Sequence, residues 1–291
     1  MVDFKKELQE LIDIILKEGA SDLHISAFRK PSIRVSGELI PLVSREVLSP
    51  EDAAGLVYEL MGESNKKIFL EKKDIDFAYA GPNSLRFRAN AFFQRGFVGC
   101  ALRAIQTKIK TIEELALPSI LKDFTHKKQG FFLVVGPVGQ GKSTTLASMI
   151  DLINRERAEH ILTIEDPIEY IFTGDRSIID QREVRFDTET FQTALRSMFR
   201  EDINVAMIGE MRTAETISAA VTAAETGHLI FSTLHTNNAA QTIDRIIDSC
   251  PAAQQNQIRA QLAGSLLGVF SQRLIPRVSG GLVPAYELLI N

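Results

Sequence analysis

The sequence predicts an α/β protein in which a small α+β domain with an antiparallel sheet precedes a domain with a mainly parallel sheet. Up to about residue 105, strand-like runs cluster around two helical segments. Beyond residue 116, short apolar strands alternate with helices, which is typical of a parallel sheet covered by helices. These strands are "FFLVV", "HILTI", "NVAMI" and "LIFSTL". We expect domains at 1–105 and 116–291, joined by a linker at 106–115.

The elements of the first domain follow from their periodicity. A second helix is predicted in "SPEDAAGLVYELMG", where Ser49 is an N-cap and Pro50 takes the first helical position. Strands are predicted in "DLHIS", "SIRVSG", "ELIPL", "DIDFAYA", "SLRFRANAFF" and "FVGCALRAI". The opening helix ends at Gly19 and places six apolar side chains on one face: Phe4, Leu8, Leu11, Ile12, Ile15 and Leu16.

Composition and charge exclude several classes of protein. The 291 residues include 33 Lys and Arg against 37 Asp and Glu, a net charge of −4, which argues against a surface that is basic overall. Cys100 and Cys250 form no CxxC pair, so we expect neither a cysteine zinc site nor a disulfide framework. The opening helix carries acidic residues, unlike a signal peptide. No apolar run approaches the roughly 18 residues of a membrane span, and we expect a cytoplasmic protein.

A glycine-rich loop follows the strand "FFLVV". The stretch "GPVGQGKST" (136–144) meets the pattern G-x-x-x-x-G-K-[ST], between a strand and a helix as the pattern requires. Glycines let successive N–H groups turn inward, and the helix N-terminus adds its free N–H groups and positive dipole end. Lys142 can reach the β- and γ-phosphates of ATP, and the Ser143 hydroxyl can bind Mg²⁺. The predicted nucleotide-binding loop comprises Gly136, Pro137, Val138, Gly139, Gln140, Gly141, Lys142, Ser143 and Thr144.

Two acidic residues at strand ends are candidates for catalysis. Glu165 follows "HILTI", ahead of Asp166 and Pro167, and Glu210 follows "NVAMIG". Because strand carboxyl ends line the ligand crevice of an open parallel sheet, both acids can act on magnesium or on an attacking water. Each acid alone is equally well explained as a solvated residue, but two beside a phosphate loop favour catalysis. Which acid positions the water stays open.

Two histidines flank the strand "LIFSTL". His228 precedes the strand and His235 follows it. A histidine at a strand end is neutral at pH 7 and can donate a hydrogen bond to a γ-phosphate. A packing or capping role is the alternative for each of them. His24, within "DLHIS", is interpreted as structural.

These stretches, in this order, resemble the Walker A, aspartate-box, Walker B and histidine-box motifs of secretion ATPases, which drive type II secretion and type IV pili. The chain is most similar to the PilT-like retraction ATPases of type IV pili. The resemblance covers essentially the whole sequence. It is carried by "SDLHIS", "RFRANAF", "GKSTTLASMID", "ILTIEDPIEY", "GEMRTAETI" and "TAAETGHLIFSTLHTN".

The resemblance implies a fold, an activity and partners. The fold would be a PAS-like N-terminal domain followed by a RecA-like ATPase domain, assembled as a homo-hexamer. Hydrolysis of ATP with Mg²⁺ would drive domain rotations that turn an inner-membrane platform protein during pilus retraction. The chain would lie at the cytoplasmic face of the inner membrane through that partner, without direct contact with nucleic acid. The resemblance assigns catalysis or nucleotide contact to Lys142, Glu165, Glu210, His228, His235, Arg86, Arg88 and Arg103, with Ser143 and Glu210 at the metal.

The chain departs from the family pattern in several places. Val138 and Gln140 stand where Thr and Ser are usual, and we expect little effect because backbone N–H groups bind the phosphates. Thr213, in "GEMRT", stands where aspartate is usual. The chain also stops at "PAYELLIN", several helices before its relatives do, which predicts an ATPase domain shortened at its C-terminus.

Several alternatives remain at this stage. Pilus extension or type II secretion is possible, although those ATPases usually carry a four-cysteine zinc module that two cysteines cannot build. RecA-like folds also build nucleic-acid motors, but the net acidity and the lack of a basic–aromatic pattern count against this. A regulatory subunit that hydrolyses nothing is the third alternative, and the intact Lys142, Glu165 and Glu210 argue against it.

Overall fold

The computed structural model describes residues 3–35, 37–81, 86–105, 108–278 and 280–291. The chain divides into two compact units, Met1–Ile105 and Gln106–Asn291. The first unit contains one sheet and two helices, and the second contains the other sheet. The predicted α/β class, with a mainly parallel second sheet, is confirmed.

The first unit is a six-stranded antiparallel sheet with two helices packed into its apolar core. The strand order is β3-β2-β1-β6-β5-β4, and every neighbouring pair runs antiparallel. The helices are α1 (Phe4–Glu18) and α2 (Pro50–Lys72). The strands are β1 (Asp22–Ser26), β2 (Ser32–Val35), β3 (Glu38–Pro41), β4 (Asp74–Ala80), β5 (Arg86–Gln94) and β6 (Phe97–Ala104).

Local sequence explains both helices of this unit. The carboxylate of Asp3 accepts a hydrogen bond from the backbone N–H of Lys6 at 3.1 Å and so caps α1, and Ser49 caps α2 through the N–H of Asp52 at the same distance. The predicted helix over 49–62 is only the first part of α2, which kinks at Gly62 and continues to Lys72. The predicted strand "SLRFRANAFF" begins at residues 84 and 85, which lie outside the described residues.

The second unit is a seven-stranded sheet with helices on both faces. Its helices are α3 (Leu121–Thr125), α4 (Lys142–Glu156), α5 (Phe191–Met198), α6 (Ala214–Glu225), α7 (Ala239–Asp248) and α8 (Ala252–Ser265). Its strands are β7 (Gly130–Val135), β8 (His160–Glu165), β9 (Ile178–Glu183), β10 (Val205–Ile208), β11 (Leu229–Leu234), β12 (Leu266–Pro276) and β13 (Leu282–Ile290). Residues 106 and 107 of the predicted linker lie outside the described residues, and Ile112 is buried in the core of this unit.

The strand order of the second sheet is β13-β12-β7-β11-β10-β8-β9. All neighbouring pairs are parallel except β12 and β13, which are antiparallel. Alternate residues of β7 face opposite cores: Phe131 and Leu133 pack with α5 to α8, while Phe132 and Val134 pack with α3 and α4. Such double burial explains why the central strands read as continuous apolar runs. In the part of the chain described, no helix is both long and apolar enough to cross a membrane.

Candidate active site

A cavity of about 470 Å³ lies where the central parallel strands of the second unit end. In neighbouring strands, Val135 pairs with Leu234, Ser232 with Ile208, and Ile208 with Ile164. The residues that follow β7, β11, β10 and β8 therefore emerge at one edge of the sheet, which is where ligands bind in open α/β sheets. The cavity is lined by the loop residues 138–144 together with Glu165, Glu210 and His235, among others.

The glycine-rich loop spans the gap between β7 and α4. Gly141 is the N-cap of α4 and has φ 77° and ψ 17°, a left-handed conformation that favours glycine. The first residues of α4, Lys142, Ser143 and Thr144, follow directly and line the cavity. The free N–H groups of the first helical turn and the positive end of the helix dipole therefore face a space that can hold an anion.

Lys142 lies inside the loop. The side chain is only 8% exposed, and Nζ donates hydrogen bonds to the carbonyl oxygens of Gly136 at 2.9 Å and of Pro137 at 2.8 Å. Burial lowers the pKa of the Lys142 ammonium, while the negative charges of Glu210 and Glu169 oppose that shift. The ammonium is thus hydrogen-bonded to the glycine-rich loop itself, at the wall of the cavity.

His235 links Lys142 to Glu210. Its Nδ1 lies 3.2 Å from Nζ of Lys142, and its Nε2 lies 3.5 Å from Oε1 of Glu210. A lysine ammonium can only donate, so Nδ1 is the acceptor and the proton of the neutral ring is on Nε2, facing the carboxylate. Burial, together with the charge of Lys142, lowers the pKa of His235, which favours this neutral form.

Glu210 is the anionic member of this chain of contacts. Its Oε2 accepts a hydrogen bond from the guanidinium of Arg212 at 2.8 Å. This bond and the nearby positive charge hold the pKa of Glu210 below its usual range, although partial burial opposes the shift. The carboxylate is therefore ionised at neutral pH and borders the cavity beside Lys142 and His235.

Glu165 has the opposite electrostatic character. It is 5% exposed, and burial raises its pKa to about 7. Its Oε1 accepts hydrogen bonds from Thr163 Oγ1 at 2.7 Å and from Gln181 Nε2 at 3.3 Å, while Oε2 accepts one from the N–H of Glu169 at 3.3 Å. These bonds fix the carboxyl group in place and partly offset the effect of burial. A carboxyl group with such a pKa can accept a proton near neutral pH.

The structure does not bring every predicted residue to this cavity. His228 precedes β11, at the opposite end of the strand from His235. Its Nδ1 lies 3.1 Å from the carbonyl oxygen of Ala223, and its ring packs edge-on against Phe199 with centroids 5.5 Å apart. Both histidines flank the same strand, but only His235 follows it, and the carboxyl ends of parallel strands are the ends that line the ligand crevice. Among the described residues, the lining of the cavity includes His235 and not His228.

The three arginines predicted to contact the nucleotide belong to the first unit and lie on its sheet. Arg103 Nε donates to Asp22 Oδ1 at 2.8 Å, and an Arg88 nitrogen lies 3.8 Å from an oxygen of Asp76. Arg86 is exposed at the start of β5. Their assignment to the nucleotide stays a prediction from the resemblance.

Several residues that line the cavity were not assigned a role from the sequence. Glu169 and Arg212 both lie in stretches that the motifs include, "EDPIEY" and "GEMRT", but the motifs alone do not say which side of the chain they face. Phe191, at the start of α5, and Leu274, on β12, come from elements that the sequence analysis left unassigned. No periodic signal links either of them to the glycine-rich loop.

The residues at the cavity fit a magnesium nucleotide. Ser143 and Glu210 supply the hydroxyl and carboxylate oxygens that Mg²⁺ accepts, and this ion usually takes its remaining ligands from phosphate and water. In the described part of the chain, no group of three or more His, Cys, Asp or Glu residues could hold a metal. The donor set therefore suits a metal that arrives with a phosphate ligand.

Comparison with known proteins identifies the family of the chain. The family model described as "Type II/IV secretion system protein" matches residues 3–280. The chain is 45% identical over 285 residues to the type IV pilus retraction ATPase PilT of Pseudomonas aeruginosa, covering 98% of this chain and 83% of PilT. It is 44% identical over 265 residues to a twitching motility protein of Neisseria gonorrhoeae, covering 91% and 71% of the two chains.

A solved structure agrees as well. A crystal structure of the pilus retraction motor PilT with bound ADP superposes with a TM-score of 0.92 at 48% identity, covering 97% of this chain and 82% of the other. The match thus includes nearly all of both units. From the family model and these relatives, the chain belongs to the type II/IV secretion system protein family, as the sequence resemblance predicted.

Proposed function

We propose that this chain is an ATP hydrolase and the motor ATPase of type IV pilus retraction. The observation that carries the proposal is one cavity bordered by a lysine-bearing phosphate loop, an ionised carboxylate and a buried carboxyl group with a pKa near neutrality. The high similarity to a pilus retraction ATPase along 98% of the chain supports the biological role. A homo-hexamer that acts on an inner-membrane platform protein, from the cytoplasmic face, belongs to the same proposal.

Each residue has a distinct part in the proposed reaction. The backbone N–H groups of the loop bind the β-phosphate, and Lys142 exchanges its loop carbonyls for phosphate oxygens. Ser143 and Glu210 hold Mg²⁺, which when bound offsets the negative charge that develops on the phosphate oxygens. His235 is neutral with its proton on Nε2, and its two ring nitrogens hold the side chains of Lys142 and Glu210 in position. Arg86, Arg88 and Arg103 remain proposed nucleotide contacts, on the resemblance alone.

The contrasting environments of the two acids support a division of roles. Glu165 is buried and its pKa is raised to about 7, so it can orient the attacking water and take its proton at neutral pH. Glu210 accepts a hydrogen bond from Arg212, and its lowered pKa keeps it anionic, as a metal ligand must be. Two carboxyl groups whose surroundings separate their pKa values commonly divide acid–base and electrostatic work in this way.

The first experiment measures phosphate release and native mass on the same purified sample. We expect release that requires ATP and Mg²⁺, together with a species of about six chains. Failure to hydrolyse ATP, alone or with the pilus platform protein, would overturn the catalytic proposal. Stimulation by DNA or RNA that falls steeply with salt would instead indicate a nucleic-acid motor.

A second experiment separates retraction from extension. Cells that lack a retraction motor still assemble surface pili but cannot pull them back, so deletion should leave pili and abolish twitching. Cells that lack an extension motor should lose the pili themselves. Restoration of twitching by the native gene, but not by a Lys142→Ala version, is the expected result.

A further inference from the structure

The strand β12 packs against the start of the phosphate loop. It runs parallel to β7, with Phe270 opposite Val134 and Ser271 opposite Val135, so that Gln272 comes alongside Gly136 where the loop begins. A Cβ added at Gly136 would lie 2.4 Å from the carbonyl oxygen of Gln272. The loop thus rests against the backbone of a strand that is more than 120 residues further along the chain.

The side chain of Gln272 joins the loop to the helix that follows it. Gln272 is 2% exposed. Its Oε1 accepts a hydrogen bond from Thr145 Oγ1 of α4, and its Nε2 donates one to the carbonyl oxygen of Gln140, both at 2.7 Å. Both ends of the buried amide are therefore used, one on each side of Gly141.

The side chain of Gln140 in turn contacts β12. Its side-chain Oε1 accepts a hydrogen bond from the backbone N–H of Leu274, also at 2.7 Å. The two glutamines form a reciprocal brace, in which each side chain holds the other residue's strand or loop.

The brace has a consequence for the backbone of the loop. In a planar trans peptide the C=O and the following N–H point in opposite directions. When Gln272 draws the carbonyl oxygen of Gln140 toward β12, the N–H of Gly141 is turned away from β12. We propose that Gln272 is a positioning residue for nucleotide binding, which sets the Gly141 N–H for a phosphate oxygen, and that Gln140 reinforces it.

This inference rests on the proposed function, because it assumes that the loop binds nucleotide phosphate. Gln272 itself is not among the described residues that line the cavity, so it acts through the loop and not on the ligand. The same β-phosphate contact exists in ADP and ATP. The brace should therefore affect binding of both nucleotides by a similar factor.

The test compares two buried amides of the same unit. Gln272→Met removes both hydrogen bonds and keeps a side chain of similar length without adding charge. The control is Asn154→Leu: Asn154 is 1% exposed, donates to the carbonyl oxygen of Thr173 and accepts from the N–H of Asp175, at the far end of α4. Both variants should lose melting temperature, because each leaves buried partners without a hydrogen bond.

Of these two variants, only Gln272→Met should change the affinity for ADP. We expect its Kd for ADP, measured by calorimetry, to rise about ten-fold, as one lost positioning hydrogen bond predicts, and the Kd of Asn154→Leu to stay within about two-fold of native. Gln140→Ser should raise the Kd for ADP by a smaller factor than Gln272→Met does. If Gln272→Met does not fold, Gln272→Asn, shorter by one methylene, should change Kd in the same direction.

Hydrogen exchange keeps the two possible failures apart. Without added nucleotide, deuterium uptake of peptides covering 136–144 should be faster in Gln272→Met than in the native chain, and unchanged in Asn154→Leu. A native Kd for ADP in Gln272→Met would overturn the inference, whatever the rate of loop exchange. A native chain that binds no ADP would overturn the proposed function, while faster loop exchange in the variant would still support the brace.

Discussion

Nζ of Lys142 lies 3.2 Å from Nδ1 of His235, although the two residues are 93 positions apart in the sequence. The contact joins the start of α4, which follows the loop after β7, to the residue that follows β11, the strand next to β7. It also defines the hydrogen-bonding state of the imidazole, because the ammonium can only donate. The phosphate loop and the carboxylate of Glu210 are thus connected through one neutral ring.

The two histidines provide a matched pair of substitutions. His235→Ala breaks the connection between Lys142 and Glu210 and should lower the rate of ATP turnover by about ten-fold or more, the equivalent of one lost hydrogen bond in the transition state. His228→Ala removes a ring of the same size from the opposite end of β11 and should cost stability more than turnover. Turnover at saturating ATP and melting temperature are measured for both. Equal losses of turnover would show that His228 also serves catalysis.

Lys142→Ala tests the phosphate loop directly. The ammonium is the charged donor of the loop, and its loss should lower turnover at least ~100-fold, as the removal of a preorganised donor to a developing charge commonly does. Lys128→Ala, which removes an exposed lysine of the same unit, serves as the control and should keep native turnover. Phosphate release is the measurement. A Lys142→Ala chain that turns over at a near-native rate would remove the loop from the mechanism.

Glu165→Gln should reveal the burial of this carboxyl group as a pH-dependent gain in stability. The folded-state pKa is about 7 against 4.5 for the free group, so the folded chain binds more protons than the unfolded chain between these values. Native stability should therefore fall as the pH rises from about 4.5 through about 7. Glutamine has no such charge, so the stability of the variant relative to the native chain should be greater at pH 8 than at pH 5 by roughly 2 to 3 kcal/mol.

Denaturant unfolding of both chains at pH 5 and pH 8 measures this difference. A stability difference that does not change with pH would mean that Glu165 ionises as readily in the folded chain as in the unfolded one. The variant should also fail to hydrolyse ATP. Retained binding of ADP by Glu165→Gln would separate the loss of the base from a loss of nucleotide affinity.

If Glu210 holds Mg²⁺ as proposed, Arg212 would compete with the metal for its carboxylate. Arg212 donates to Oε2 at 2.8 Å, so removing it should free that oxygen for Mg²⁺. We expect Arg212→Gln to lower the Mg²⁺ concentration for half-maximal binding of ADP by several-fold, and Glu210→Gln to raise it, in line with the modest strength of an exposed ion pair. Magnesium titrations at fixed ADP measure both. A shift in the same direction for both variants would show that Glu210 does not contact the metal.

Most of this site could be predicted from the sequence, because its residues come directly after predicted strands. Glu165, Glu210 and His235 each come directly after a short apolar run, and parallel strands bring their carboxyl ends to one edge. The same rule favours His235, which follows its strand, over His228, which precedes it, and the structure places His235 at the cavity. The motif itself is local, and no long-range information is needed to find Lys142.

Long-range pairing is what the sequence could not supply. The brace between Gln140 and Gln272 depends on β12 lying next to β7, and neither residue carries a periodic signal for that neighbour. The second half of α2 was missed for a local reason: Gly62 resembles a helix end, yet α2 continues beyond a kink to Lys72. For the brace, pairing with a distant strand decides what the local pattern leaves open.

The position of β12 has a consequence for how the nucleotide loop matures. A nascent chain that has emerged only as far as residue 265 already contains the whole "GPVGQGKST" stretch, both acids and both histidines, but not the strand on which the loop rests. During synthesis, the chain therefore contains the nucleotide-binding motif before it can bind nucleotide. Affinity for ADP should arise only after β12 has been made and has docked beside β7.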